Sequence, residues 1–404
     1  MIKKITNIYL FSSGGIFLAH SFFFATYQLF LIGHGLSYLE INLINLGYMI
    51  SCFILEIPTG AYADVFGRRR SIIIGCLVLS LSFLIYFLAG NFWLFLLAEV
   101  IGAFGSTFIS GALEAWMVDS LKQADYQGDL EKIYQKESLF RLLGIMLGSL
   151  SGAYLGEYSL AWPWLASAIS MLVISLYIHH VLPKNGKKDK HLRCDLKAIR
   201  DVATTSIKYG YRHRGIFYLI GFSACLYLSF QAFNMQWPIV FSEYGLSVTQ
   251  LGYIFNGIAL TNFLGGQLAP RFLKLIGQEK RALVWSQAIT ALGMIVASLM
   301  LGYYPVLSGF MLHEIGRGIL RPLKQAYLNR RIPSEQRATV LSFDSMITQL
   351  GAGLGLIISG LIADSFSISY AWLVSALLVV ASIILFSFLK NGHEAKELTK
   401  KHLV

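Results

Sequence analysis

Charge is scarce in this sequence. Only 14% of its 404 residues are Asp, Glu, Lys or Arg, where soluble domains carry about 25%. With 55% hydrophobic residues and a mean hydropathy of +0.60, little room is left for a soluble domain. Cysteine is scarce too. Cys52, Cys76, Cys194 and Cys225 form no Cys-x-x-Cys pair, and three lie in apolar runs, which argues against a disulfide framework and a zinc site. The apolar runs hold no serine–base pair, metal-ligand cluster or phosphate loop, so a membrane-embedded enzyme or a non-transporting receptor is disfavoured, and no cofactor is expected. His313-Glu314 is not a zinc-protease motif, because Arg317 stands where the second histidine belongs.

What is present is long apolar runs. A helix crosses a bilayer with ~20 apolar residues. Hydropathy places spans at 8–32, 41–62, 72–90, 93–117, 138–157, 161–182, 215–237, 248–270, 281–301, 305–327, 338–362 and 370–390. Lys3 and Lys4 precede the first run, which is too long for a signal-peptide core and reads as a span. Loops 33–40, 91–92, 158–160, 238–247, 302–304 and 363–369 contain no Lys or Arg. All 33 bases fall elsewhere. Bases mark the cytoplasmic side, so both termini are expected there. The net charge of +11 is then topological, and no nucleic-acid partner is implied. The fold class is all-α membrane protein with twelve transmembrane helices.

The domain reading is 1–182 as an N-terminal six-helix bundle, 183–214 as a cytoplasmic linker, 215–390 as a C-terminal six-helix bundle and 391–404 as a tail. In the linker, Leu192, Leu196, Ile199, Val202 and Ile207 recur at roughly helical spacing among many bases. That fits a surface helix on anionic lipid, or a flexible connection. The halves repeat. Shifted by 207, Glu137-Ser138 falls on Asp344-Ser345, Leu143-Gly144 on Leu350-Gly351, Gly148 on Gly355 and Glu157 on Asp364. Shifted by 206, Gly60-x-x-Ala63 falls on Gly266-x-x-Ala269, with Pro270 where Asp64 stands.

Between spans 2 and 3 lies Gly60-Ala-Tyr-Ala-Asp64-Val-Phe-Gly67-Arg68-Arg69-Arg70-Ser71. Gly60 suits a close helix approach and Gly67 a tight turn. Asp64, an acid among bases at a membrane edge, is expected to be paired. Gly60, Asp64, Gly67, Arg68 and Arg69 resemble the Gly-x-x-x-Asp-x-x-Gly-Arg-Arg/Lys loop of the major facilitator superfamily, in both spacing and place. With the internal repeat, the resemblance covers nearly the whole chain, and it extends to bacterial twelve-helix drug:proton antiporter-like members. It implies two pseudo-symmetric six-helix bundles. It also implies that Asp64, Arg68 and Asp119 form a clasp in one conformation; an ion pair kept in every conformation is the alternative.

Other matches are partial. Gly144-x-x-x-Gly148-Ser149-x-x-Gly152-Ala153 in span 5 looks like the antiporter motif but has Ser149 for proline, which weakens the antiporter inference and makes a small-residue packing face the safer reading. Span 4 has Glu99 where proton-coupled exporters carry arginine. Glu99 is a protonatable group, a cation contact or an idle rim residue. In span 10, Glu314 and Arg317 share a helix face, and charges at membrane depth usually face a pathway or a partner. The pair is a proton switch or a structural ion pair. His20, and Glu56 near the clasp, are further proton candidates. The resemblance puts spans 1, 4, 7 and 10 around a cavity, which makes Tyr27, Gln28, Gln231, Asn234, Trp237 and His313 candidate lining residues. A cavity with few charges and many aromatics suits amphipathic molecules.

Together these imply a secondary transporter, monomeric, in a bacterial inner (plasma) membrane, contacting membrane lipid and taking a small-molecule substrate. Proton-coupled efflux of a hydrophobic or amphipathic compound is the leading reading. The departures at Ser149 and Glu99 keep open an importer or facilitator of a small metabolite.

Overall fold

The computed structural model describes residues 1–183, 214–332 and 337–387. The linker helix, the 333–336 loop and the 391–404 tail lie outside the described residues, as do Cys194 and the side chain of Arg337. The described residues form fourteen α-helices and no strand. In chain order they are α1 (Ile2–Ser21), α2 (Tyr27–Gly33), α3 (Tyr38–Phe66), α4 (Arg68–Leu88), α5 (Phe92–Ile109), α6 (Ala112–Gln123) and α7 (Leu130–Tyr158). They continue with α8 (Trp162–Val181), α9 (Arg214–Glu243), α10 (Val248–Ile276), α11 (Glu279–Ser298), α12 (Tyr303–Arg331), α13 (Arg337–Ser365) and α14 (Ile368–Ser387).

Twelve crossings result, because two are broken. The first expected span divides into α1 and α2 at residues 22–26, and the fourth into α5 and α6 at Ser110–Gly111. Both were expected to be continuous, and the physical reasons differ. Gly111 has φ +68°, which a right-handed helix does not accommodate. At 22–26 i→i+3 turns replace the α-helical ladder (Phe24 N to Ser21 O 3.1 Å, Thr26 N to Phe23 O 3.0 Å), and Phe23, Ala25 and Tyr27 there are each at least 92% buried. Eight of the crossings are long and apolar enough to span a membrane by hydropathy alone. The α1–α2 pair, α9, α10 and α12 fall short because they carry polar residues such as Asn234, Asn256, Asn262, Glu314 and Arg317.

Helix ends are set by local chemistry. Ser37 and Glu40 make a reciprocal capping box at α3 (Glu40 N to Ser37 Oγ 3.2 Å, Ser37 N to Glu40 Oε2 2.9 Å). Ser247 and Gln250 repeat it at α10 (2.8 and 3.3 Å). Each box follows a Gly-Leu-Ser whose glycine, Gly35 or Gly245, has φ +81°. Gly67, at φ +96°, ends α3 and starts α4 without a loop. That conformation favours glycine, as the motif requires.

The chain divides into two compact units. One comprises Met1–Cys194 with Gln236–Ala259, the other Asp195–Met235 with Leu260–Val404. Within the first, Gly144, Gly148 and Gly152 of α7 lie directly on the backbone of the first crossing. A Cβ on Gly144 would meet Gly14 O, one on Gly148 would meet Leu18 O, and one on Gly152 would meet Phe22 O. In the second unit, Gly351 and Gly355 of α13 lie on Ala224 O and Leu228 O of α9 in the same way. The 207-residue repeat is therefore a repeat of backbone contacts, as small residues at four-residue spacing allow. Gly75 with Gly105, and Gly293 with Gly309, do the same for α4 on α5 and α11 on α12.

Gly60 behaves differently. A Cβ there meets nothing within 4 Å, so the expected close approach is not made in this conformation. We predict that Gly148→Leu destabilises the protein by ~3 kcal/mol or more through overpacking against backbone, read as a large fall in melting temperature in detergent. Gly60→Ala should leave that temperature unchanged.

Candidate functional site

The signature loop forms an ion-paired junction. Arg68, at the start of α4, reaches Asp119 of α6 (Nη2 to Oδ2 3.1 Å) and, more loosely, Asp64 one turn back (3.9 Å). Arg69 donates to the carbonyl of His179 at the end of α8. Asp64 is thus paired as expected, but its side chain is 53% exposed, against 26% for Asp119. Desolvation makes the Asp119 bond the stronger of the two. Asp119→Asn is therefore expected to cost more thermal stability than Asp64→Asn, by ~1 kcal/mol, measured on the purified variants. Glu56 lies on the same α3 and is exposed.

A second centre surrounds Glu99, roughly 10 Å into α5 from the end that carries no bases. Two phenols donate to the same oxygen: Tyr27 of α2 (OH to Oε1 3.0 Å) and Tyr86 of α4 (2.8 Å). Asn45 of α3 donates Nδ2 to the Tyr27 hydroxyl (2.9 Å), which turns the phenolic hydrogen toward Glu99. Trp164 of α8 stacks on Tyr86 (3.9 Å, 4°) and on Phe23 (4.0 Å, 11°). His20 faces the rings of Phe23, Phe24 and Phe83 at 5.3–5.7 Å. Gln28 is buried.

The third centre surrounds Glu314, roughly 16 Å into α12 from its base-free end. That is mid-depth in a ~30 Å hydrocarbon core. Glu314 is 2% exposed, so it faces protein and not lipid. Arg317 donates Nη1 to its Oε1 (3.0 Å), and Asn262 of α10 donates Nδ2 to its Oε2 (2.9 Å). The same Nη1 also reaches Asn234 Oδ1 of α9 (2.6 Å), and the guanidinium lies over Phe230, 5.2 Å from the ring centre. Three helices therefore meet on one acid–base pair. A carboxylate held by one cation and one amide is neutralised, and adding a proton to it would weaken its hold on the arginine.

His313 is fully buried among Phe230, Phe233 and Phe310. Its Nδ1 lies 3.4 Å from Glu314 Oε1, but the angles do not make a hydrogen bond. Gln231 folds back onto Tyr227 O (3.1 Å). Trp237 packs on Phe255 in the first unit. The centre around Glu314 therefore gathers Arg317, Asn234 and His313 from the expected residues. Tyr27 and Glu99 meet elsewhere, in the first unit.

Two features were not anticipated in the sequence. Lys324 of α12 and Asp344 of α13 form a buried pair at 2.8 Å, with the ammonium 5.7 Å from the Tyr227 ring centre. Ser149, the residue that departs from the antiporter pattern, donates to Asn256 Oδ1 (2.8 Å), and Asn256 donates to Met146 O (3.1 Å). Along the same seam Tyr154 meets Tyr253 (2.5 Å), and Glu157 accepts from Thr249 N and Oγ1 (2.9 and 3.0 Å). These bonds tie α7 to the first half of α10 within the first unit.

Comparison with known proteins gives the context. The Major Facilitator Superfamily model matches residues 9–227 and 217–403. The MFS-type transporter YxaM of Bacillus subtilis (strain 168) is 23% identical, with 92% of each chain covered. Multidrug resistance protein 2 of the same organism is 24% identical, with 84% of each covered. The crystal structure of the nucleoside transporter NupG superposes with a TM-score of 0.77 at 14% identity, covering 95% of this chain and 100% of that one. That likeness speaks to the fold alone. Two family-model matches that together run nearly end to end, over twelve crossings joined by the Gly60–Arg69 signature, make this chain a multi-pass membrane transporter of the Major Facilitator Superfamily.

Proposed function

We propose that the protein is a proton-coupled exporter of hydrophobic or amphipathic small molecules, working by alternating access in a bacterial inner membrane with both termini cytoplasmic. The moving parts are the halves 1–182 and 215–390, in the manner of parallel repeats. The observation that carries the reading is the carboxylate of Glu314, buried at mid-depth and bonded to Arg317 and Asn262. Protonation of Glu314 frees Arg317, and a change in that pair biases a two-state equilibrium. The drug-resistance relative supports the substrate class.

The departure at Ser149 favours a second reading, import or facilitated passage of a small metabolite. Its bond to Asn256 is one that proline could not donate. The experiment is transport in inside-out vesicles with a panel of fluorescent amphipathic dyes. Export predicts dye accumulation when the lumen is made acidic, and its collapse when the gradient is dissipated. Dye movement indifferent to the gradient, with metabolite counterflow, would establish the second reading.

A further inference from the structure

Away from the three centres, the base-rich end of the first unit holds a cavity of about 450 Å³ between α1 and α8. Its lining includes Lys3, Lys4, Asn7, Ile8 and Phe11 of α1 and Tyr177 of α8, and no acid. Among the described residues, the side chains of Lys3, Lys4 and Asn7 and the Tyr177 hydroxyl make no hydrogen bond or ion pair. Four donor groups, two of them charged, thus converge on one space with nothing in the protein to receive them. An ammonium offers three donors and no acceptor, so the complementary ligand is an anion rich in acceptor oxygens.

The cavity is graded along α1. Lys4, Ile8 and Phe11 recur at i, i+4 and i+7 and so share one stripe, with Lys3 and Asn7 beside it. Polar groups come first and apolar ones follow, over roughly 12 Å from Lys3 to Phe11. Ile8 is buried and forms the floor, whereas Phe11 is 57% exposed. Val173 of α8, one turn deeper than Tyr177, is also 57% exposed. The cations therefore stand at the membrane edge and the uncovered apolar side chains continue from them toward the hydrocarbon. A soluble anion would use only the first part. A phospholipid uses both, with its phosphate among the donors and an acyl chain on the apolar side chains. A zwitterionic headgroup would bring a cation of its own against Lys3 and Lys4; an anionic one would not.

We propose that this cavity is a binding site for one anionic phospholipid of the leaflet on the base-rich side. Lys3, Lys4, Asn7 and the Tyr177 hydroxyl hold its phosphate, and Phe11 and Val173 carry an acyl chain. A lipid seated there touches α1 and α8 at once and stabilises the first unit. The inference is independent of the direction of transport and of the group that couples it to protons.

The test is native mass spectrometry of the delipidated full-length protein in detergent, titrated with phosphatidylglycerol or phosphatidylcholine, with melting temperature followed in parallel. Wild type should retain one phosphatidylglycerol at least tenfold more tightly than phosphatidylcholine, and its melting temperature should rise with the former. Lys3→Gln/Lys4→Gln should lose that preference and the thermal shift. Lys132→Gln/Lys136→Gln, which removes two exposed bases from the start of α7, should match wild type. Millimolar glycerol 3-phosphate should not displace the lipid. Circular dichroism identifies a variant that fails to fold, in which case Tyr177→Phe takes its place and should weaken phosphatidylglycerol binding severalfold. Equal retention of the two lipids by wild type, or an undiminished preference in the folded Lys3/Lys4 variant, would overturn the proposal. So would an equal loss in the Lys132/Lys136 variant, which would mean surface charge without a site, and so would displacement by glycerol 3-phosphate, which would mean a soluble anion. No transport is measured, so failure here leaves the dye-export experiment untouched.

Discussion

Arg317→Ala is expected to be the most damaging single change in the second unit. It strands Glu314 with only the Asn262 amide as partner and leaves Asn234 Oδ1 without its donor. Removing one member of a buried ion pair costs about 3–5 kcal/mol, chiefly because the other charge stays buried. Thermal melting in detergent should show this, together with loss of dye export. The double variant Glu314→Gln/Arg317→Ala should melt well above Arg317→Ala, since it removes the stranded charge. A double variant no more stable than the single one would mean that Arg317 acts mainly through Asn234 and Phe230.

Lys324→Ala should come next. Asp344 is 9% exposed; among the described residues its Oδ1 has no partner and Lys324 is the one cation on it. The expected loss is again about 3–5 kcal/mol, seen as a lower melting temperature and loss of a monodisperse peak on size exclusion. Lys324→Met/Asp344→Leu should restore much of the stability, because apolar residues of similar volume often replace a buried pair at no loss. If the double variant folds stably yet transports poorly, the pair has a role in the cycle. If it transports normally, the pair is structural.

Much of the fold was legible because its signals are local. Gly67 has to accept a positive φ between two helices, and it does. Glu314 and Arg317, three apart on one helix, are paired. Arg68 finds Asp119. The glycines matched at an offset of 207 turned out to be backbone contacts. The less legible parts depend on which side chains meet across helices. Asn45, Asn262, Tyr86 and Trp164 are unremarkable in sequence and become partners only once α2, α3, α4, α5, α8, α10 and α12 are packed. Lys324 and Asp344 sat in plain view, but nothing local pairs them. The second Gly-Leu-Ser capping box lies at an offset of 210, where the repeat shifts register, so a search at 206 or 207 passes it by. The breaks at 22–26 and at 110–111 are made by i→i+3 turns and by the positive φ of Gly111, neither of which hydropathy senses.

The assignment of Glu314 as the group that links proton movement to substrate movement is tested most directly with Glu314→Gln in proteoliposomes. Two quantities are measured on one preparation: dye exchange with no gradient, and dye accumulation driven by a pH step. Substitution by the uncharged isostere should leave exchange measurable and abolish the response to the pH step. Accumulation that follows the pH step as fully as in wild type would contradict the assignment.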